Sequence, residues 1–320
     1  MSDKAIPISS MLTRILDVAA RANMPVLLKG SHGIGKSEFL LGYAQKKGLK
    51  AHVLDLSLLE STDLTGIPYI EDGHTHFAPP TILPLGDAQE PTMLVLEELN
   101  RCDRSVRQPC LQLLTTRKLN DYKLPKNCFL AACINPDGSE YQVDSLDPAL
   151  ASRFLTLDVK ADPDAWLRWA RDKQLYPGVV RFVEKFPQSF DRCPPRTWTY
   201  AAHLIESAIL EGWSMGELDS VLIPLLGSVA AQALMAELPD ELPKVQVAEL
   251  LASPGDYQER FESWMTQSRT DIVSVVLEGV RQHLEKHDVS LDEKQKDELV
   301  GLLDLAPADL GVPILEAIGC

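Results

Sequence analysis

The feature that most restricts how this chain folds is Val-Leu-Leu-Lys-Gly-Ser-His-Gly-Ile-Gly-Lys-Ser, residues 26–37. Val26, Leu27 and Leu28 read as a short buried strand, and Glu38-Phe39-Leu40-Leu41 opens a helical pattern. Between them Gly30, Gly35, Lys36 and Ser37 satisfy Gly-x-x-x-x-Gly-Lys-Ser. Glycines let the backbone wrap closely around phosphate oxygens. The N–H groups of such a loop and the N-terminus of the helix after it form an anion site. The loop Gly30, Ser31, His32, Gly33, Ile34, Gly35, Lys36 and Ser37 is therefore expected to hold a nucleoside triphosphate, ATP. Lys36 would reach the β- and γ-phosphates and Ser37 would ligate Mg²⁺. His32 occupies a variable loop position and is given no chemistry.

The rest of the first half is consistent with that loop. Residues 26–28, 52–56, 93–96, 129–134 and 156–159 are short apolar runs that read as five strands. Several are apolar throughout, which suits a parallel sheet covered on both faces. Helical patterns lie at 11–22, 38–47 and 105–116, so the segment reads as an α/β layered domain. Residues 58–91 form a long Pro- and Gly-rich excursion. Within it Tyr69-Ile70 and His76-Phe77 flank Glu71-Asp72-Gly73 as in a small hairpin. Past a linker at 160–163 the pattern is helical almost to the end, at 164–172, 179–185, 197–212, 228–236, 256–267, 272–287 and 292–303. The expected division is 1–160 and 161–320.

A second chemical signal is Thr92-Met-Leu-Val-Leu-Glu97-Glu98, an apolar strand ending in two acids. Beside a phosphate loop, the first acid organises Mg²⁺ and its water, and the second orients the attacking water as a base. Glu97 stands where Asp is usual, and its extra methylene places the carboxylate differently against an octahedral cation.

Further segments carry a family resemblance. Glu97-Glu98-Leu-Asn100-Arg101-Cys-Asp103, Ala131-Ala-Cys-Ile-Asn135-Pro136, Leu146-Asp-Pro-Ala-Leu-Ala-Ser152-Arg153-Phe154 and Cys193-Pro-Pro-Arg196 occur in that order. With Asp63-Leu-Thr-Gly66 and Phe77-Ala-Pro-Pro80, they resemble MoxR-type AAA+ ATPases over roughly residues 5–210. The resemblance implies a P-loop AAA+ αβα sandwich with a five-stranded parallel sheet, then an all-α lid and a C-terminal helical region. It implies a catalytic set of Glu98, Asn135 as sensor 1, Arg153 as an arginine finger for the neighbouring subunit, and Arg196 as sensor 2. Ser37 and Glu97 are the implied metal residues. Arg101 reads either as an intersubunit or nucleotide contact or as a surface ion pair. Two positions depart from the family: Glu97 replaces Asp, and Ser152 replaces the Asp before Arg153.

The resemblance further implies a homo-oligomeric ring, usually hexameric, that hydrolyses ATP to remodel a client protein. A partner with a von Willebrand factor A domain is expected. Tyr69, Phe77 and Ile82 on the excursion read either as client-gripping groups or as a local core. A nucleotide-gated assembly module, slow at hydrolysis because of Glu97, is the alternative. The net charge of −15 disfavours a nucleic-acid motor. No run of 18 apolar residues suggests a membrane span. Six cysteines without zinc spacing, and a start lacking a secretory signal, point to reduced thiols and the cytoplasm.

Overall fold

The computed structural model describes residues 5–84, 90–136, 146, 148–238, 245–267, 269–286, 289 and 291–319. The chain divides into two compact units, Met1–Ala165 and Trp166–Cys320.

Six described strands of the first unit form one parallel sheet. They are β1 (Ile6–Pro7), β2 (Val26–Lys29), β3 (Lys50–Asp55), β6 (Thr92–Glu97), β9 (Cys128–Ile134) and β10 (Leu155–Lys160), in the order β1-β10-β2-β9-β6-β3. The sheet thus has one strand more than the five expected. β1 pairs only Ile6 with Val159 and Pro7 with Lys160, and two residues are too few to show a period. As an edge strand it tolerates the missing N–H of Pro7. β3 also begins and ends earlier than the apolar run at 52–56. Asp55 accepts from the Ser57 amide at 3.0 Å and from its hydroxyl at 2.6 Å, which turns Leu56–Leu58 into a 3₁₀ helix.

Alternation along the strands sends side chains to two cores. Val26, Leu28, Met93, Val95, Ala131 and Cys133 share one face with helices α1 (Ser10–Arg21) and α2 (Lys36–Lys46). On α1 the buried Leu12, Leu16 and Ala19 recur at helical spacing. Leu27, Leu94, Leu96, Leu130, Ala132 and Ile134 face the other way, packing with Val106, Cys110 and Leu113 of α4 (Arg104–Thr116). A short helix α5 (Pro148–Ala151) precedes β10.

The excursion holds α3 (Ser61–Thr65) and an antiparallel hairpin, β4 (Ile67–Glu71) with β5 (His74–Ala78). Its two turn residues, Asp72 and Gly73, have φ of 49° and 75°, the left-handed pair that a two-residue hairpin turn needs. A smaller hairpin, β7 (Lys118–Leu119) with β8 (Tyr122–Lys123), lies beside it. The Asp121 carboxylate accepts from the Phe77 amide at 2.7 Å, and the Asn120 side chain donates to the Thr65 carbonyl at 3.1 Å. Ile70 is 81% exposed and Tyr69 46%, with the Tyr69 ring resting on His76. Gly86 lies outside the described residues.

The second unit is helical: α6 (Pro163–Asp172, entering from the first unit), α7 (Pro177–Lys185), α8 (Pro195–Leu210), α9 (Met215–Leu226), α10 (Ser228–Met235), α11 (Val247–Ala252), α12 (Gln258–Thr266), α13 (Thr270–Lys286), α14 (Glu293–Asp304) and α15 (Ala308–Ile318). One core gathers Tyr176, Phe182, Trp198, Ile205 and Leu222; another gathers Phe261, Val273, Val276, Val280, Leu299 and Ile314. Helices α9, α11 and α15 were not expected. Pro224 and Pro313 lie inside α9 and α15 and read as breakers, while α11 has only six residues. Among the described residues no helix is long and apolar enough to cross a membrane.

Candidate active site

The carboxyl-terminal edge of the sheet is where β2, β6 and β9 release their chains, and the chemistry-bearing residues of the first unit collect there. Gly30 follows β2, and its amide donates to Ile134 O at 3.2 Å. A Cβ at Gly30 would lie 2.6 Å from the carbonyl oxygen of Val159, so the loop passes too close to β10 for any side chain. Gly33 and Gly35 have φ of 70° and 92°. Gly35 is the N-cap of α2, its carbonyl accepting from the Phe39 amide at 2.9 Å. The loop therefore needs glycine once for space and twice for backbone conformation. Ser31, Ile34 and Ser37 are half-buried along it, Gly33 is buried, and His32 is exposed.

Lys36 is 8% exposed. Its ammonium donates to Gly30 O at 2.6 Å, to Ser31 O at 3.0 Å and to the Asn135 side-chain oxygen at 3.1 Å. Asn135, the first residue after β9, donates its amide nitrogen to the two Glu98 carboxylate oxygens at 3.4 and 3.2 Å. Arg101 closes the line, 3.6 Å from Glu98 Oε2. Glu98 itself sits just past β6 at φ 53°, a left-handed conformation unusual for a side chain of this kind. Strain of that sort is concentrated where a carboxylate must be aimed.

Glu97, the last residue of β6, shares the α1/α2 face with Met93 and Val95. Burial raises its pKa, and the nearby Ser37 hydroxyl, the Cys133 thiol and the charge of Lys36 pull it part of the way back down. Its Oε1 is buried with no hydrogen-bond partner. An oxygen-rich pair, hydroxyl and carboxylate, with one carboxylate oxygen lacking a protein partner, is a donor set that fits Mg²⁺.

Two neighbours of the site had no role assigned from the sequence. Asn100 is buried, and its amide donates to Asn135 O at 3.0 Å, so it fixes the backbone of the residue that bridges Lys36 and Glu98. Its position inside Glu97-Glu98-Leu-Asn100-Arg101 was the available signal. Cys133 gave no signal beyond its residue type.

Arg153 is elsewhere. It follows α5, and Leu155 two residues on pairs with Val26, at the amino-terminal edge of the sheet. That is about 13 Å along the strand direction from Gly30 at 3.3 Å per residue. Its guanidinium donates to the Thr115 hydroxyl at 2.6 Å and to Ala149 O. Within one chain it does not join Lys36 and Glu98. Arg196 is exposed in the first turn of α8, in the second unit. Asp147 lies outside the described residues. Cys102, Cys110, Cys128, Cys133 and Cys193 are buried free thiols, and Cys320 is not among the described residues.

The parallel sheet, the phosphate loop at its carboxyl-terminal edge and the helical region after it are those of the AAA+ P-loop fold. Residues 25–154 match the family model of the AAA domain, dynein-related subfamily. Among solved structures, a proposed ATPase from Cytophaga hutchinsonii is similar at 19% identity and a TM-score of 0.40, over 52% of this chain and 51% of that one. The chain therefore spans about half the length of that protein. The Thermotoga maritima RuvB Holliday junction branch migration motor is similar at 16% identity and a TM-score of 0.41, over 77% of this chain and 74% of that one. A search of curated proteins finds no match.

Proposed function

We propose that the chain is an ATPase of the MoxR type, which binds ATP on the loop 30–37 and hydrolyses it in a ring of identical subunits to remodel a client protein. The observation that supports this best is the line Lys36, Asn135, Glu98. It sets a phosphate-binding cation and a candidate base on the two ends of one amide. Lys36 would draw the β- and γ-phosphates, exchanging the carbonyls of Gly30 and Ser31 for stronger charged acceptors. Glu98 would take the proton of the attacking water, and Asn135 would keep that carboxylate and the water in register. Ser37 and Glu97 would hold Mg²⁺, which neutralises phosphate charge when bound. Arg153, at the far edge of its own sheet, is suited to serve a neighbouring subunit, and Arg196 is the lid cation of the same reading. The hairpin β4–β5, with Ile67 and Ile70 facing solvent, is the element proposed to meet a client. A von Willebrand factor A domain partner and a cytoplasmic setting belong to the same reading.

The test is phosphate release and nucleotide binding by the purified chain and by Glu98→Gln. Retained ATP binding with hydrolysis reduced by about 10²-fold or more is expected of the variant. A parent chain that binds ATP without releasing phosphate, even with partners supplied, would instead favour a nucleotide-gated assembly module.

A further inference from the structure

Arg153 is held in place, but by nothing that neutralises its charge. Its Nε donates to the Thr115 hydroxyl at 2.6 Å. Its Nη1 donates to Ala149 O and, at 3.4 Å, to the Ser152 hydroxyl. All three acceptors are uncharged, and among the described residues no carboxylate pairs with Arg153. A guanidinium is a planar fork of five N–H groups. Holding Nε and Nη1 fixes its plane, and the two N–H groups of Nη2 have no acceptor among the described residues. One edge of a fixed cation is thus left for an anion from outside the chain.

The Thr115 hydroxyl has a single proton, and it goes to Leu111 O at 2.7 Å, one turn back in α4. Its oxygen therefore meets Arg153 only as an acceptor. The support beneath that oxygen is firm. Thr115 lies in the last turn of α4, and Arg117, the C-cap, ties this helix end to the start of β9. The Arg117 guanidinium donates to Pro125 O at 2.8 Å and to Cys128 O at 2.7 Å.

We infer that Thr115 is a positioning residue for Arg153, holding the guanidinium so that its Nη2 edge meets the terminal phosphate of a nucleotide on the neighbouring subunit. The inference rests on the proposed reading of Arg153 as an arginine finger. A group that serves a phosphoryl transfer loses rate steeply when displaced, and a 1 Å error can cost about 10²-fold.

The experiment measures phosphate release by the full chain. Thr115→Val keeps the branched shape and deletes the hydroxyl. It should lower kcat by about tenfold with KM within about twofold of the parent. Arg153→Ala should lose about 10³-fold or more. Thr115→Ser, which restores the acceptor, should return most of the parent rate. Mixing separates positioning from a general loss of structure. An equal mixture of Thr115→Val with Glu98→Gln should exceed the mean of the two separate rates, because some interfaces then join an intact Glu98 to a correctly held Arg153. An equal mixture of Thr115→Val with Arg153→Ala should give only the mean, since neither chain supplies such an arginine. Equal behaviour of the two mixtures, with subunit exchange shown by fluorescence transfer, overturns the inference. So does a Thr115→Val rate within about twofold of the parent while Arg153→Ala is inactive. An Arg153→Ala chain that works at the parent rate overturns the reading beneath it.

Discussion

The ammonium of Lys36 donates to the side-chain oxygen of Asn135 at 3.1 Å, a contact that joins residues 99 apart in sequence. It exists because β2 and β9 are neighbours in the sheet and both end at this edge. Asn135 has a carbonyl oxygen for the lysine and an N–H for Glu98, and no other residue of its size offers both. Asn135→Ala should therefore lower kcat by about 10² while leaving KM within about threefold. Steady-state phosphate release measures both. An equal loss carried by KM alone would mean that Asn135 acts only in binding.

The place of Arg153 makes a mixing prediction. Arg153→Ala and Glu98→Gln should each be inactive alone if the arginine serves the neighbouring subunit. Mixed, they should regain part of the parent rate, because some interfaces then pair an intact Glu98 with an intact Arg153. Phosphate release from the 1:1 mixture reads this directly. No recovery across all mixing ratios, with subunit exchange shown by fluorescence transfer, would place Arg153 outside the reaction.

Glu98 lies at φ 53°. Glycine has no Cβ to resist that conformation, whereas alanine does. Both substitutions delete the carboxylate, so their difference isolates the backbone. Glu98→Gly should be the more stable of the two by about 1 kcal/mol, offset in part by the looser unfolded chain. Denaturant melts of the two variants give the number, and the reverse order would mean that the turn relaxes in solution.

Glu206 on α8 is half-buried, and desolvation raises its pKa above the usual 4.5, opposed by its bond to His203 at 3.1 Å and assisted by Glu278. A carboxyl raised in the fold keeps its proton to higher pH folded than unfolded. The stabilisation from that proton is complete below the unfolded value and is lost as pH rises through the folded one. Glu206→Gln should then melt close to the parent at about pH 4. It should gain on the parent as pH rises beyond 4.5 and level off once Glu206 is ionised in the fold. Tm against pH for both proteins tests the sign.

The sequence made some of this legible and hid the rest for identifiable reasons. Gly30, Gly35, Lys36 and Ser37 are fixed by local geometry, since a phosphate loop needs its glycines and lysine at set spacings. The strands around it are apolar runs long enough to show themselves. β1 was hidden because its two residues take their meaning only from β10, 153 residues further on in the pairing of Ile6 with Val159. Helices α9 and α15 were hidden because tertiary packing tolerates an interior proline that a pattern reader counts as an end. Asn100 stood in plain view within an acidic-strand motif, but its hydrogen bond to Asn135 is a three-dimensional fact. That Glu97 and Cys133 follow the paired Leu96 and Ala132 depends on the register of two strands, which spacing along one chain does not report.

The hairpin β4–β5 carries Ile67, Tyr69 and Ile70 into solvent, yet it is not tethered only through its own ends. Asn120 and Asp121, on the turn of the second hairpin, hold it at Thr65 and at Phe77. A surface that already has its shape loses little conformational entropy when something closes over it. The apolar groups of this hairpin are thus presented as a preformed relief, and the recognition they support would be governed by shape before contact.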